Sequence, residues 1–246
     1  MSNKVTVITS IKEADKLMKP FLEDLARQTL FAECSVFLVC CNSSIGHTDE
    51  QACRIFAEKY DNVQYYHMIN DPGIYGVWNM VVSKADTPYI TNANVDDRLH
   101  PECIEKHVKL LDQKPEIDLA YCYNICSFYP NETFENTTGR NRYPTAEFSP
   151  NRMLRSNLPH NHPVWRRSLH DRFGLFDEEI FSAADWDFWL RCVAGGANFE
   201  LIKENLGLYY WNPQGISTSK TNMVKKTMVE NLVRKKHQKA INDRAY

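Results

Sequence analysis

The 246-residue sequence lacks the marks of a membrane, secreted or nucleic-acid-binding protein. No apolar run approaches the ~20 residues that a helix needs to span a bilayer. The opening residues, MSNKVTVITS, have no long apolar core of the kind found in signal peptides, and they predict a buried strand instead. A net charge of −2 gives no global basicity that would favour nucleic acid. We therefore predict a cytoplasmic protein that does not bind nucleic acid.

Two short motifs are also absent. No pair of the eight cysteines has CxxC spacing, and several of them lie in or beside apolar runs, so reduced and buried thiols are the better interpretation. No GxGxxG follows the first predicted strand, which argues against a generic dinucleotide-binding fold. Internal repeats and low-complexity segments are missing as well.

What the sequence does contain is an alternation of strand and helix patterns. Apolar or β-branched runs predict strands at 4–10, 34–41, 62–68, 88–94 and 117–128, with segments of helical spacing between them. Strands that alternate with helices imply right-handed crossovers. The first half therefore predicts a Rossmann-like, mostly parallel central sheet flanked by helices.

The second half is less regular. Residues 129–144 are polar and rich in turn formers, and they predict a loop. Extended pieces are predicted at 163–174 and 199–212, on either side of a helix at 182–196 that ends on glycines.

Asp96 and Asp97 form an acidic pair directly after the fourth predicted strand. Adjacent carboxylates repel, and a divalent cation with its preference for oxygen ligands would compensate them. The alternative is a solvated acidic loop that caps the helix near Pro101. Ligands of open α/β sheets bind outside the carboxyl ends of the strands, so this pair and the polar segment 42–44 are expected to face one crevice.

The order of these segments resembles the family-two glycosyltransferases of the GT-A fold. The resemblance runs from roughly Lys4 to Thr218 and is carried by VTVITS, FLVCCNSS, DPGIYGVWNMVVSKADTPYITNANVDDRLHP and HPVWRRSLHDRFGLFDEEIFSAADWDFWLRC. It implies a single GT-A domain at 1–218, with a nucleotide-sugar-binding half at 1–128 and an acceptor-side half at 129–218. Residues 219–246 would then form a basic helical tail.

The resemblance implies a metal-dependent, inverting enzyme that moves a sugar from a nucleotide-diphospho-sugar to a hydroxyl acceptor, with Mn²⁺ or Mg²⁺ as cofactor. The acceptor can be a glycan, a lipid-linked molecule or a protein. A catalytically silent nucleotide-sugar-binding or scaffold protein of the same fold is the alternative. A nucleotidyltransferase ranks last, because the segment TSIKEADK offers no Gly-rich phosphate loop after the first strand.

Matched position by position, the resemblance places the metal at Asp96 and Asp97, with Asn94 where the family usually has another aspartate. The implied donor contacts lie in the first two strand ends, the following helix and the acidic loop: Thr9, Asn42, Ser43, Tyr75, Trp78, Asn79, Asn94 and Asp96. His160 and His162 are expected to line the acceptor site.

Two carboxylates compete for the role of general base. The resemblance favours Asp185, and contact with aromatic side chains would raise its pKa toward useful basicity. Asp187 has Arg191 four residues later, the spacing of an intrahelical ion pair, and is expected to be structural.

The tail is the one strongly charged region. Residues 216–246 carry a net charge of +6, and the rest of the chain carries −8. Val224, Met228 and Leu232, joined by Val229 and Val233, form an apolar stripe at helical spacing. This pattern predicts either a helix packed on the body through that stripe or a peripheral helix at a membrane surface.

Overall fold

The computed structural model describes residues 3–244, which form one open sheet with helices on both faces. Its strands are β1 (Val5–Ile11), β2 (Cys34–Cys40), β3 (Val63–His67), β4 (Tyr89–Asn92), β5 (Arg98–Leu99), β6 (Leu119–Ser127), β7 (Val164–Arg166) and β8 (Phe199–Tyr210). They lie in the order β3-β2-β1-β4-β7-β6-β8-β5.

The helices are α1 (Asp15–Ala26), α2 (Thr48–Lys59), α3 (Gly73–Lys84), α4 (Cys103–Gln113), α5 (Pro150–Arg155), α6 (Ser168–Phe173), α7 (Ala184–Ala194) and α8 (Met223–Arg244). The predicted α/β class is confirmed, with parallel pairing between β1, β2, β3 and β4. The pair β6 and β8 is also parallel, whereas β7 runs antiparallel to β4 and β6.

Strand β1 shows why the sheet is buried on both sides. Its side chains alternate, so that Val5 and Val7 join the core under α1 and α4, and Ile8 joins the core under α3 and α7. The predicted buried thiols are confirmed, because all eight cysteines are free and buried.

The segment 163–174 differs from its predicted extended form. Only Val164–Arg166 is a strand, and Ser168–Phe173 turns into α6. The buried Trp165 packs against Trp189 of α7, so the core contact of this short strand decides the local structure. The two-residue strand β5 was not predicted.

Helix α8 packs on the body through only part of the predicted stripe, because Val233 is buried and Val229 packs against the core. Its buried residues are Val233, His237 and Ile241, whereas the stripe of Val224, Met228 and Leu232 is exposed. The final two residues of the predicted tail lie outside the described range. Among the described helices, none is both long and apolar enough to cross a membrane.

Candidate active site

A cavity of about 780 Å³ opens where β1 and β4 end. The loop after β1 and the acidic loop after β4 form part of its wall, and α7 and α8 complete it through Asp185, Lys226, Glu230 and Arg234. The carboxyl ends of parallel strands meet at one edge of a sheet, which explains why the acidic loop lies here.

Asp96 presents its carboxylate to this cavity. The side chain is partly exposed, and Asn212 donates to its Oδ2 at 3.1 Å. Asn94 lies beside it and accepts a hydrogen bond from the Nδ2 of Asn92 at 3.2 Å. The Oδ1 of Asn92 is buried, with no hydrogen-bond partner among residues 3–244. Around Asp96, the cavity wall therefore combines a carboxylate with neutral amide side chains.

Asp97 is placed differently from its neighbour. It is buried, and its carboxylate accepts hydrogen bonds from Asn94 Nδ2 (3.0 Å), Asn161 Nδ2 (2.7 Å) and the backbone N–H of Tyr210 (3.0 Å). Burial, reinforced by the charge of Asp96, raises the pKa of Asp97 well above its ordinary value. These bonds tie the acidic loop to β8, so Asp97 holds the loop in place.

The donor set around Asp96 fits a hard divalent cation. Carboxylate and amide oxygens are the ligands that Mn²⁺ and Mg²⁺ take, and both ions also accept phosphate oxygens and water. Asn92 also lines the cavity, and its buried Oδ1 has no hydrogen-bond partner among the described residues. The oxygens of Asp97 accept three protein hydrogen bonds, and its metal contact stays a prediction.

Asp185 lies in the first turn of α7 and also lines the cavity. Tyr75 Oη donates to its Oδ1 at 3.0 Å, and Asn157 Nδ2 donates to its Oδ2 at 2.7 Å. Burial raises the pKa of Asp185, and these two neutral donors only partly offset the rise. No cation bonds to Asp185 within the described range. The carboxylate is thus a partly desolvated base held in one orientation.

Asp187, one helical half-turn away, faces the interior beneath α8. It is fully buried and accepts from His237 Nε2 (2.8 Å), Lys236 Nζ (2.9 Å) and Arg191 (3.3 Å). Burial opposes its ionisation, but the bonds from His237 and Lys236 outweigh that effect and hold its pKa at about 2. The predicted pair with Arg191 is present. No local pattern predicts the two partners on α8, which lie about 50 residues away in the sequence.

The structure brings only some of the predicted donor contacts to the cavity. Tyr75, Trp78, Asn94 and Asp96 line it. The other four predicted residues lie outside its wall: Thr9, Asn42, Ser43 and Asn79.

Each of these absences has a local cause. Ser10 lines the cavity in place of Thr9, because neighbouring strand residues point to opposite faces. Asn42 is buried, donates to Asp49 and accepts from the N–H of Glu13. Asn79 binds the 176–178 segment through the Phe176 backbone and Glu178. Ser43 is exposed to solvent.

Several wall residues were missed by the sequence reasoning. Asn157 and Asn212 bind the two cavity aspartates from 28 and 116 residues away, and no local pattern predicts such pairs. Tyr143 stacks on His160 with ring centroids 3.5 Å apart, and Tyr209 meets His160 edge-on. This aromatic group forms an apolar part of the wall.

The two predicted histidines have separate positions. His160 lines the cavity, whereas His162 is buried and lies outside its wall. Both have positive φ, 42° and 58°, a conformation that costs a non-glycine residue energy. Burial lowers the pKa of each imidazole to about 3, so both are neutral near pH 7.

Two further clusters have ligand-type atoms within 4.8 Å of one another: Cys103, His107 and Cys122, and Asp15, His47 and Asp49. Neither contains a cavity aspartate. In the second cluster, Asp15 accepts from the backbone N–H of Asp49 at 3.0 Å, and it therefore satisfies a free amide at the start of α2.

Sequence comparison gives a consistent set of relatives. The family model described as glycosyl transferase family 2 matches residues 6–172. The chain is 22% identical over 203 residues to the uncharacterized glycosyltransferase MJ1057 of Methanocaldococcus jannaschii, a match that covers 82% of this chain and 69% of that protein.

Two solved structures share the fold. TarS 1-349 of S. aureus, in complex with UDP-GlcNAc, has a TM-score of 0.70 at 17% identity, over 94% of this chain and 65% of that one. The mannosyltransferase PcManGT from Pyrobaculum calidifontis, in complex with GDP-Man and Mn²⁺, has a TM-score of 0.64 at 15% identity, over 87% and 59%. These likenesses confirm the predicted GT-A fold. The chain spans 59% to 69% of the length of these three proteins.

Proposed function

The chain belongs to glycosyl transferase family 2, and from that premise we propose that it transfers a sugar from a nucleotide-diphospho-sugar to a hydroxyl acceptor with inversion. One observation carries the proposal. Asp96, beside oxygen ligands suited to a cation, and Asp185, a partly desolvated carboxylate, line the same cavity.

At the donor end, Asp96 with the amide oxygens of Asn92 and Asn94 would hold Mn²⁺ or Mg²⁺. When bound, the cation supplies positive charge against the diphosphate that leaves as the glycosidic bond breaks. Asp97 keeps the acidic loop fixed to β8 through the Tyr210 N–H. Trp78 and Tyr75 give the donor an apolar wall.

At the acceptor end, Asp185 removes a proton. The acceptor oxygen attacks the anomeric carbon, its proton passes to a carboxylate oxygen of Asp185, and the bond to the nucleoside diphosphate breaks on the opposite face. Attack from that face inverts the anomeric centre. Tyr75 and Asn157 keep the carboxylate oriented, and its raised pKa makes it a stronger base than an exposed aspartate.

The solved relatives suggest which donors to test first. TarS was solved with UDP-GlcNAc and PcManGT with GDP-Man. A panel of UDP- and GDP-sugars with Mn²⁺, Mg²⁺ or EDTA, followed by mass spectrometry and by NMR of the product anomer, tests the proposal. We expect metal-dependent consumption of at least one donor and an inverted product.

Asp96→Ala tests the metal assignment, with Asp86→Ala as the control because Asp86 is exposed and lies outside the cavity wall. We expect Asp96→Ala to abolish metal-stimulated turnover and Asp86→Ala to leave it unchanged. Wild-type turnover by Asp96→Ala in Mn²⁺ would contradict the assignment.

A silent nucleotide-sugar-binding protein is the second candidate, favoured by the neutral Asn94 and by the inward placement of Asp97. It predicts that calorimetry detects donor binding while no donor in the panel is hydrolysed or transferred. Turnover of any donor excludes it.

A further inference from the structure

The side of α8 that faces away from the body carries three large apolar side chains in line. Val224, Met228 and Leu232 are 73%, 63% and 67% exposed. They repeat every four residues, so they form a continuous row along the helix. Single exposed apolar residues are ordinary on protein surfaces, but an aligned row marks an interaction surface.

This row lies opposite the packed side of the helix. Val233, His237 and Ile241 face the body and are buried, with His237 bonded to Asp187. The outward side is thus not needed to hold α8 in place. Helix propensity does not require apolar residues there either, since charged residues form helices equally well.

The same outward side continues into a basic segment. At 3.6 residues per turn, the apolar row spans about 80° around the helix axis, and Lys235 and Lys239 fall within that span. Both are exposed. We call the set of Val224, Met228, Leu232, Lys235 and Lys239 the outward face. It combines an apolar row with positive charge, and the exposed Asp243, four residues after Lys239, borders it.

Other lysines of α8 are engaged with the body. Lys236 bonds to Asp187 at 2.9 Å, and the ammonium of Lys225 lies 3.8 Å from the ring centroid of Phe181. The Lys226 ammonium donates to the Ser217 carbonyl at 3.0 Å. The charge of the outward face is therefore carried by Lys235 and Lys239.

We propose that the outward face docks the protein on an anionic lipid surface. Apolar side chains would enter the boundary between headgroups and acyl chains, and the two lysines would meet lipid phosphates. A second copy of the chain fits less well. The three apolar side chains offer far less than the ~800 Å² that each partner buries in a standard interface, and parallel pairing would oppose like charges.

Docking would also orient the cavity. Lys226, Glu230 and Arg234 lie on another side of the same helix and line the cavity wall. Ile216, 46% exposed in the segment before the helix, lines it too. If the proposed function holds, the cavity lies one helix diameter from the lipid, where it can receive a hydroxyl of a lipid-borne acceptor.

Co-sedimentation with vesicles tests the docking without donor or acceptor. The probes are phosphatidylcholine vesicles and vesicles of phosphatidylcholine with phosphatidylglycerol, at low and high salt. We expect the wild type to bind the anionic vesicles at low salt and to be released by salt. The triple variant Val224→Ser, Met228→Ser, Leu232→Ser should bind at least tenfold more weakly.

The matched control is Ile55→Ser, Ile69→Ser, Leu175→Ser, which removes exposed apolar side chains elsewhere. It should bind like the wild type. Lys235→Ala with Lys239→Ala should weaken binding to anionic vesicles by about fivefold for each lysine. Circular dichroism melts establish that every variant folds.

Any of three results would overturn the proposal. The first is a wild type that binds neither kind of vesicle, and the second is an outward-face triple variant that binds as well as the control. The third is a wild-type dimer, detected by light scattering, that dissociates only in the outward-face variant. Vesicle binding by a wild type that transfers no sugar would refute the proposed function and leave the docking intact.

Discussion

Helix α7 presents two aspartates to two different surroundings. Asp185 faces the cavity, and its side-chain hydrogen-bond partners among the described residues are the neutral Tyr75 and Asn157. Asp187 faces α8 and is bonded by Lys236 and His237 of that helix and by Arg191 of α7, donors that are or can be cationic. The pKa of Asp185 is raised and that of Asp187 is lowered to about 2.

The difference shows how two carboxylates of one helix can serve different purposes, one as a base and the other in stabilising the fold. A carboxylate without a cation keeps its proton affinity and can act as a base, at some cost to the folded state. A carboxylate with several cationic donors loses that affinity, and it stabilises the folded state instead. Asp185 and Asp187 can thus have opposite roles although they are only two positions apart.

The largest expected effect comes from removing the base. Asp185→Asn should lower turnover by about 10²–10⁴-fold while donor binding persists. Because an amide replaces a carboxylate whose ionisation is disfavoured by burial, the melting temperature at pH 7 should stay equal or rise. Steady-state kinetics, calorimetry with the donor and thermal melts measure the three quantities. Unchanged turnover would remove Asp185 from the mechanism.

Asp187→Asn should lower stability more than turnover, the reverse of Asp185→Asn. It leaves the cations beneath α8 without their anion, and the free energy of unfolding should fall by about 1.5–3 kcal/mol. Asp171→Asn, which breaks an exposed pair with Arg167, is the control and should stay within about 0.5 kcal/mol of wild type. Urea unfolding compares the variants. If Asp187→Asn lost turnover but kept the wild-type free energy of unfolding, the structural role would be contradicted.

The pH dependence of stability separates the same two residues. Since the folded pKa of Asp187 is depressed to about 2 from an ordinary value of 3.8, its contribution is present above about pH 4 and is lost as the pH falls toward 2. Asp187→Asn should therefore make the free energy of unfolding depend less on pH in that range. An acid-unfolding curve parallel to that of the wild type would mean that Asp187 is not held ionised.

The smallest expected effect concerns the orientation of Asp185. Asn157 donates to the ionised carboxylate and so lowers its pKa. Asn157→Ala should move the acid limb of kcat/KM to higher pH, because the carboxylate loses a hydrogen bond that favours its ionised form. Asn151→Ala, at an exposed position of α5, is the control. An acid limb that moves downward would reverse the assigned role of the amide.

Much of this comparison could be predicted from local sequence. The pair of Asp187 with Arg191 follows from helical spacing, and the positions of the strands in the first half follow from apolar runs. The partners His237 and Lys236 lie about 50 residues away, where spacing carries no information. Thr9, the predicted donor contact, lies outside the cavity wall and its neighbour Ser10 lines it, because a shift of one residue in a strand exchanges the two faces.

The tail shows a second limit of local patterns. An apolar stripe predicts that a helix has one side suited to burial, but it does not say what buries it. Here Val233 and Ile241, spaced eight apart around His237, pack on the body because Asp187 attracts the histidine and Lys236. The more regular row at Val224, Met228 and Leu232 is left on the surface.

The buried thiols have a consequence for chemical labelling. Burial raises the pKa of Cys34 to about 12 and that of Cys41 to about 11, and every cysteine of the chain is enclosed by the core. Maleimides react with accessible thiolates, so the native fold offers them little to attack. A single Met228→Cys substitution would then accept a fluorophore with low background, and its emission would change as α8 meets lipid.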